Sequence, residues 1–406
     1  MYWFCAGEWA TNIARGIFTL ALGMLLYAET ESLWAFTLAF VSEFLVSIFL
    51  QGVAGSVVDR LGAAKVLLSA ALGNILVIVA AITLTDDIGQ NTIVLIGIAI
   101  GLNLCRPFIR NAVFVLVPDI AGEQQLEKLN ALISIALQAG QITGMALAGL
   151  LLELYEPSWV VYFVLLSYSL AFSCYAILLW IYHARLKEKR NLLSNDKGSW
   201  NELATFVRGN KTVTTVFLVA TCDYVAIALF NLLLAPAVKH NFDNLARWLT
   251  FLDMAFAIGA ILGGMFIAAT KLSFTEKLVF TSASMLSVVS VFFGYIFNLS
   301  SYFILFSAFL FGAFTTVSTV SWMSVLQALS PTQIKGRLAS VRYMANALMV
   351  AVATSLVSYA NDISFTQATL SAVMVVGTLL SVSVCCSLWF HQKNLKDVHR
   401  IQQNQT

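Results

Sequence analysis

The sequence contains very little charge. Only 11% of its 406 residues are charged and 59% are hydrophobic, with a mean hydropathy of +0.84, whereas a soluble domain carries about 25% charged residues. These few polar side chains cannot cover a water-facing surface, which excludes a soluble globular protein and predicts a membrane protein. Segments of about ten residues with alternating hydrophobicity, typical of outer-membrane barrels, are also absent. We therefore expect an all-α integral membrane protein.

The sequence also lacks the residues that several kinds of chemistry need. Its four histidines are scattered in loops and in the tail, so no metal site is expected. Its six cysteines lie in apolar runs without a C-x-x-C spacing, which favours a role as small hydrophobic residues. A nucleotide-binding P-loop is missing, so we expect an ion gradient to drive any transport. The sequence predicts no enzyme activity, no cofactor and no nucleic-acid partner.

Twelve apolar runs are long enough to cross a bilayer, which takes about 20 residues. The first run is interrupted by Glu8 and Arg15 and has no basic region before it, so no cleavable signal peptide is predicted. Met1 lies almost at the start of that run, which leaves the completeness of the N-terminus open. The predicted spans are 3–28, 33–57, 64–84, 91–117, 128–152, 158–182, 212–236, 246–270, 277–297, 301–328, 338–360 and 365–390.

Basic residues are distributed unevenly between the loops on the two sides of the membrane. The loops after even-numbered spans, together with the tail, hold 17 lysines and arginines, and the loops after odd-numbered spans hold two. Cytoplasmic loops carry the excess of positive charge. We therefore expect both termini to face the cytoplasm. As separate expectations, the chain lies in a bacterial inner membrane and is a monomer.

The longest loop divides the spans into six and six. The predicted domains are an N-terminal half at 1–182, a cytoplasmic linker at 183–211, a C-terminal half at 212–390 and a cytoplasmic tail at 391–406. Within the linker, "SWNELATFV" spaces Ser199 and Glu202 as a capping box. The apolar stripe that follows predicts a short helix on the cytoplasmic membrane face.

The two halves contain related loops, and these loops resemble a known family. "GSVVDRLGAAK" (55–65) is similar to the G-x-x-x-D-R-x-G-R-K loop of the major facilitator superfamily, although alanines replace its Arg-Lys pair. "SPTQIKGRLASV" (330–341) resembles a segment of many exporters in this family. The resemblance implies two pseudo-symmetric halves of six helices and a gating role for matching residues, namely Gly55, Asp59, Arg60, Gly62, Gly336 and Arg337. From its position, Asp59 is expected to pair with Arg60 or to cap a neighbouring helix.

Two further segments narrow the resemblance. "GQITGMALAG" (140–149) is similar to the antiporter motif of the family at Gly140, Gly144 and Gly149, although Met145 replaces the proline of that motif. Ordinary packing of small residues between helices uses the same spacing and remains an alternative. The loop before the fifth span resembles the subgroup of enterobactin exporters and macrolide efflux proteins.

Charged side chains within the spans are the strongest functional signal. Each costs about 2.5–3.5 kcal/mol at the centre of a bilayer, so most must face a cavity or one another. Glu8, Asn12 and Arg15 share one face of the first helix, and Asn103, Arg106 and Arg110 share one face of the fourth. Snorkelling to the interface is the alternative for those near helix ends. By resemblance, spans one, four, seven and ten line the central cavity of the family.

The chemistry of these side chains suggests their roles. Arginine stays charged and grips carboxylates with two parallel hydrogen bonds, whereas a buried carboxylate is able to exchange a proton. The candidate substrate-binding residues are Arg15, Arg106, Arg110, Asn12, Asn231 and Trp322. The candidate proton-coupling residues are Glu43, Asp223, Glu8 and Asp253.

These observations favour a secondary transporter that exports a small anionic metabolite, such as a carboxylate siderophore, in exchange for protons. An efflux pump for macrolides or other cationic amphiphiles is the alternative, because the spans also carry acids and many aromatic residues. A sensor without transport activity is disfavoured, because no signalling domain is present. Import also stays open, since the fold does not fix the direction of transport.

Overall fold

The computed structural model describes the backbone of residues 1–30, 33–85, 91–183, 199–242 and 247–403. It describes the side chains of the same residues except 23, 26–30, 33–45, 47, 123, 211 and 386–403. In this part of the chain every long element is an α-helix, and no strand is present. The predicted all-α class is therefore confirmed.

Thirteen α-helices lie in the described part of the chain, and two short 3-10 turns precede α5 and α12. The helices are α1 (Tyr2–Thr30), α2 (Leu33–Leu61), α3 (Ala63–Leu84), α4 (Thr92–Ala121), α5 (Leu126–Leu154), α6 (Ser158–Ile181), α7 (Trp200–Gly209), α8 (Lys211–Asn241), α9 (Arg247–Ala269), α10 (Phe274–Ile296), α11 (Ser301–Leu329), α12 (Lys335–Asn361) and α13 (Phe365–Gln403).

Twelve of these helices coincide with the twelve predicted spans, and the short α7 lies where the linker helix was predicted. Among the described residues, ten helices are long and apolar enough to cross a membrane. The observed helices often extend beyond the predicted spans, because hydropathy detects the apolar run but not the polar turns that continue it. The helix α13, for example, runs through to Gln403.

Side-chain caps fix where several helices begin. Asn91 accepts hydrogen bonds from the backbone N–H groups of Ile93 and Val94 at the start of α4, at 3.1 and 3.2 Å. The predicted capping box of the linker is confirmed, since Glu202 N–H donates to the Ser199 hydroxyl and the Glu202 carboxylate accepts from Ser199 N–H. Each cap satisfies backbone donors that the first helical turn leaves without an intrahelical partner.

The chain divides into two compact units. Unit 1 comprises Met1–Phe206 and Gln327–Ala347, and unit 2 comprises Val207–Leu326 and Leu348–Thr406. In unit 1, α1 packs most extensively against α5 and α6, and α4 packs against α2 and α3. In unit 2, α10 and α8 pack against α13. Three phenylalanine rings, Phe230, Phe256 and Phe311, form an aromatic cluster in unit 2 with centroids 5.4–5.5 Å apart.

Glycines allow α1 and α5 to approach closely. A Cβ atom at Gly140 or Gly144 would overlap the backbone of α1, and Gly16 provides the matching gap on the α1 side. At Gly149, in contrast, a Cβ atom would meet no other atom within 4 Å. Small-residue packing therefore accounts for the first two glycines of the antiporter-like motif but not for the third.

Candidate functional site

Unit 1 contains a cavity of about 290 Å³ between α1, α3, α4, α5 and α6. Its polar lining includes Glu8, Thr11, Asn12, Arg15, Thr19, Asn74, Asn103, Arg106, Arg110, Gln141 and Tyr168. The cavity thus brings together the two predicted polar faces, that of α1 and that of α4. We refer to it as the arginine cavity.

The α1 wall of the arginine cavity is a row of side chains spaced at i, i+4 and i+7. The amide of Asn12 donates to the backbone carbonyl of Glu8 at 2.8 Å, and Arg15 donates to the Asn12 side-chain oxygen at 3.4 Å. The Glu8 carboxylate accepts a 2.7 Å hydrogen bond from the Tyr175 hydroxyl, which has no exposed surface. Glu8 itself is only 8% exposed, so it does not snorkel to the interface.

The α4 wall supplies Asn103, Arg106 and Arg110 from one helical face. The buried Pro107 lies within this helix, where proline removes a backbone donor and permits a local bend. The Arg110 guanidinium also lies 5.6 Å from the ring centre of Tyr343 on α12. This distance is within the range of a cation–π contact.

The charged groups in the lining of the arginine cavity are three guanidiniums and one carboxylate, so positive charge dominates. The three arginines stay protonated at any physiological pH. The amide of Gln141 and the hydroxyl of Tyr168 add neutral hydrogen-bond donors, whereas the Thr11 hydroxyl donates to the backbone carbonyl of Gly7. Such a lining suits a small anion, because guanidinium groups form charge-assisted hydrogen bonds with carboxylates.

A second cluster in unit 1 joins the end of α2 to the start of α12, and we call it the latch. The Asp59 carboxylate accepts hydrogen bonds from the backbone N–H groups of Gly336 and Arg337 at 2.8 and 3.1 Å. It also forms a 2.9 Å ion pair with the Arg337 guanidinium, and both side chains are 4% exposed. The prediction that Asp59 caps a neighbouring helix is therefore confirmed. The alternative pairing with Arg60 is wrong. The Asp59 carboxylate binds Gly336 and Arg337 at the start of α12, and the Arg60 side chain is exposed.

Two glycines shape the latch. Gly55 lies against the backbone of Gly336 and the hydroxyl of Ser340, where a Cβ atom would not fit. Gly62 has φ 90° and precedes α3, in a region of backbone conformation that glycine adopts without steric cost. Both glycines of the predicted motif thus have a local structural reason.

Trp200 of the linker helix α7 is a latch residue that the sequence analysis missed. Its ring lies 5.9 Å from the Arg337 guanidinium. The sequence analysis placed Trp200 on an apolar stripe facing the membrane, because helical periodicity identifies an apolar face but not what it contacts. Trp200 is 43% exposed, so it is partly accessible although its ring lies beside Arg337.

A network of buried amides lies next to the latch in unit 1. Asn111 donates to the Gln51 side-chain oxygen at 2.9 Å and to the Ser340 hydroxyl at 3.1 Å. Asn130 donates to Gln327 at 2.6 Å, and Gln327 in turn donates to the backbone carbonyl of Phe114. The Asn111–Gln51 bond joins residues 60 apart, and the other three bonds join residues more than 190 apart. The sequence alone does not reveal these pairings.

In unit 2, the carboxylate of Asp223 on α8 is fully buried among hydroxyl groups. Ser318 donates to one carboxylate oxygen at 2.6 Å, and Ser284 donates to the other at 3.0 Å. Trp322, a predicted substrate ligand, has no exposed surface, and its indole N–H donates to Thr281. This burial does not favour a direct contact between Trp322 and substrate.

The remaining predicted site residues lie elsewhere. Asn231 is exposed although Asp223, on the same helix, is buried, so the two residues do not share one environment. Asp253 on α9 is half-buried. The side chain of Glu43 lies outside the described residues. The structure therefore brings Asn12, Arg15, Arg106, Arg110 and Glu8 together and leaves the other candidates apart from them.

Comparisons with known proteins agree with this architecture. The sequence profile of the Major Facilitator Superfamily matches residues 4–354. No curated protein sequence gives a significant match.

Several solved transporters have a similar fold. A bacterial homologue of the iron transporter ferroportin, in an outward-facing state, has a TM-score of 0.72 at 14% identity. A human organic anion transporter has a TM-score of 0.70, and the Escherichia coli fucose:proton symporter has a TM-score of 0.68, each at 14% identity. In all three cases the match covers 95% of this chain and 98% of the other. At this identity the likeness concerns the fold alone, and together with the profile match it shows that the chain is a multi-pass membrane transporter of the Major Facilitator Superfamily.

Proposed function

We propose that this transporter exports a small anionic metabolite in exchange for protons, with the arginine cavity as the binding site. The single observation that carries the proposal is the convergence of Arg15, Arg106 and Arg110 on one cavity. A lone arginine at membrane depth is often structural, but three around one cavity concentrate more positive charge than the single lining carboxylate, Glu8, neutralises.

The size of the cavity supports a small ligand or the acidic end of a larger one. Its volume of about 290 Å³ lies at the lower end of the roughly 300–1,000 Å³ typical of small-molecule sites. A di- or tricarboxylate fits this range, and so does the carboxylate end of a siderophore. A macrolide is too large for the arginine cavity alone, and its cationic amine would meet like charge there.

Proton coupling requires a group that gains and loses a proton during the cycle, and the arginines do not do so. Glu8 is our candidate within the cavity, since it lies two helical turns from Arg15 on the same face. Asp223 is our candidate in unit 2, and Glu43 and Asp253 remain predictions. An anion that binds the arginines competes with Glu8 for positive charge, which would link substrate binding to the proton on Glu8.

Alternating access requires contacts that break and re-form. We propose that the latch and the amide network open and close once in each transport cycle. The latch joins α2 to the start of α12, and the amide network joins α4 to α2 and α12. The division into six-helix halves at 1–182 and 212–390, the cytoplasmic location of both termini, the bacterial inner membrane and the monomeric state are parts of the same proposal.

The test is transport of radiolabelled citrate in proteoliposomes with an imposed pH gradient. A hydrogen bond to a charged group contributes about 1.5–3 kcal/mol, so loss of one arginine should weaken citrate binding about 10- to 150-fold. We expect Arg106→Gln to raise the KM for citrate by that factor. Arg247→Gln is the matched control, because Arg247 is exposed at the start of α9.

Three outcomes would decide between the proposals. Transport of citrate by Arg106→Gln with an unchanged KM would refute the anion site. Transport of cationic macrolides but not of citrate would favour the drug-efflux alternative. For the siderophore itself, a strain lacking the gene should accumulate it inside the cell, and unchanged secretion would exclude that substrate.

A further inference from the structure

A chain of buried hydrogen bonds in unit 2 connects Asp223 to Trp322 through two hydroxyl groups. Ser318 on α11 donates to the Oδ2 atom of Asp223 at 2.6 Å. The hydroxyls of Thr281 on α10 and Ser318 are 2.6 Å apart, and the indole N–H of Trp322 donates to Thr281 at 2.8 Å. All four side chains have no exposed surface.

The direction of every hydrogen bond in this chain is fixed while Asp223 is ionised. An indole N–H only donates, and a carboxylate only accepts. Ser318 therefore uses its only hydrogen on Asp223, and Thr281 accepts from Trp322. The 2.6 Å contact between the two hydroxyls then takes the hydrogen of Thr281, in preference to the Lys277 carbonyl oxygen at 3.0 Å. All the hydroxyl hydrogens point towards the carboxylate.

When Asp223 is protonated on Oδ2, the hydrogen bonds between Asp223, Ser318 and Thr281 reverse direction. A proton on Oδ2 must be donated to Ser318, which then turns its own hydrogen towards Thr281. Thr281 already lies 3.0 Å from the backbone carbonyl oxygen of Lys277, and that oxygen accepts the displaced hydrogen. Each of the four hydrogen-bonded side chains keeps at least one partner in this state. This is important because a buried polar group without a hydrogen bond lowers the stability of the fold.

The other carboxylate oxygen favours a proton on Oδ2. The Oδ1 atom accepts from Ser284 at 3.0 Å and from Thr315 at 3.5 Å. A proton on Oδ1 would disturb these two hydrogen bonds, whereas a proton on Oδ2 leaves them in place and reverses the bond from Ser318.

We propose that Ser318 and Thr281 are positioning residues that form a two-state relay, which reports the protonation of Asp223 to Trp322. The role of the relay in transport rests on the proposed proton coupling, but the relay itself is testable without transport. In each state Trp322 donates to the same Thr281 oxygen, while the hydrogen on that oxygen points to Ser318 in one state and to Lys277 in the other.

The helices packed around Asp223 carry several charged or titratable side chains. On α10, Lys277 is buried and shares a face with Thr281 and Ser284 by its i, i+4, i+7 spacing. The helix α11 carries one titratable side chain, Tyr302, and residues 365–385 of α13 carry one, Cys385. The other charged residues of α8, α9 and α10 with described side chains are Lys239, Arg247, Asp253 and Glu276.

The experiment measures tryptophan fluorescence of the purified full chain in lipid nanodiscs across the pH range in which carboxyl groups titrate. The fluorescence of Trp322 is obtained by subtracting the spectrum of the Trp322→Phe variant from that of the unmodified chain. We expect a one-proton transition in this difference signal and its loss in Asp223→Asn. Ser318→Ala should also lose the transition, because it separates Trp322 from Asp223. Thermal unfolding of each variant confirms that it is folded.

Ser284→Ala is the matched control, since Ser284 also donates to Asp223 and is fully buried but is not in the path to Trp322. It should keep the transition with its full amplitude. A transition retained in Ser318→Ala, or lost equally in Ser284→Ala, would overturn the relay. Absence of the transition in the unmodified chain, or the same change produced by sodium ions at constant pH, would overturn it as well.

The two proposals fail separately in this design. If the chain transports citrate without a pH gradient but shows the Trp322 transition, proton coupling is wrong and the relay stands. If transport depends on the gradient and the transition survives Ser318→Ala, the relay is wrong and proton coupling stands.

Discussion

Replacement of Asp59 by asparagine is the perturbation whose effect follows most directly from the contacts of the latch. The carboxylate accepts three N–H groups at 2.8, 2.9 and 3.1 Å from the start of α12. An asparagine keeps one acceptor oxygen and turns an NH₂ group towards a donor. Removal of one partner from a buried ion pair costs about 3–5 kcal/mol.

That cost sets the size of the expected effect on latch opening. Since each 1.4 kcal/mol is tenfold, the closed latch should become about 100-fold to several thousand-fold less favoured relative to the open one. The assay is the rate at which N-ethylmaleimide labels a cysteine introduced at Ala339 in a cysteine-free chain. Ala339 is fully buried on α12 next to the latch, so labelling reports opening. We expect Asp59→Asn to raise this rate by at least tenfold.

The matched control is Asp362→Asn, an exposed aspartate in the loop before α13. It should leave the labelling rate unchanged. If folded Asp59→Asn protein is labelled no faster than the control, the ion pair does not hold the latch closed, and our gating proposal loses its basis.

Two further predictions concern packing. Gly144→Val should lower the thermal stability of the purified protein, because overpacking costs about 1–3 kcal/mol and a side chain there meets the α1 backbone, whereas Gly149→Val should be neutral. Equal effects at the two glycines would contradict the packing argument. Trp200→Ala should raise the Ala339 labelling rate by less than Asp59→Asn does, since an exposed cation–π contact contributes about 0.5–1 kcal/mol. An effect of Trp200→Ala as large as that of Asp59→Asn would show that the linker helix, and not the ion pair, holds the latch.

The sequence predicted the helices and the polar faces well, for physical reasons that are local. An apolar run long enough for a bilayer must form a helix, because lipid offers no partners to backbone groups. Periodicity then places Glu8, Asn12 and Arg15 on one face without knowledge of the neighbours. Both inferences depend only on residues within a few turns of one another.

The partners of these residues were not predictable from one sequence. Asp59 was expected to pair with Arg60 or to cap a neighbouring helix, but neither expectation identified Arg337, which is 278 residues away, as its ion-pair partner. The hydroxyl that binds Glu8 belongs to Tyr175 on α6. Helical spacing does not place the candidates Asn231 and Asp223 on one face either, since eight residues correspond to about 80° of offset on a helix with 3.6 residues per turn. One of the two is buried and the other is exposed.

The central claim, that the arginine cavity selects negative charge, is tested most directly by calorimetric binding to the purified protein in nanodiscs. Citrate should bind to the unmodified chain and lose most of its affinity in the Arg15→Gln and Arg106→Gln variants. The neutral triamide of citrate, which has nearly the same size, should not bind. Equal binding of citrate and its triamide, or binding of a cationic amphiphile that the arginine variants leave unchanged, would contradict the account.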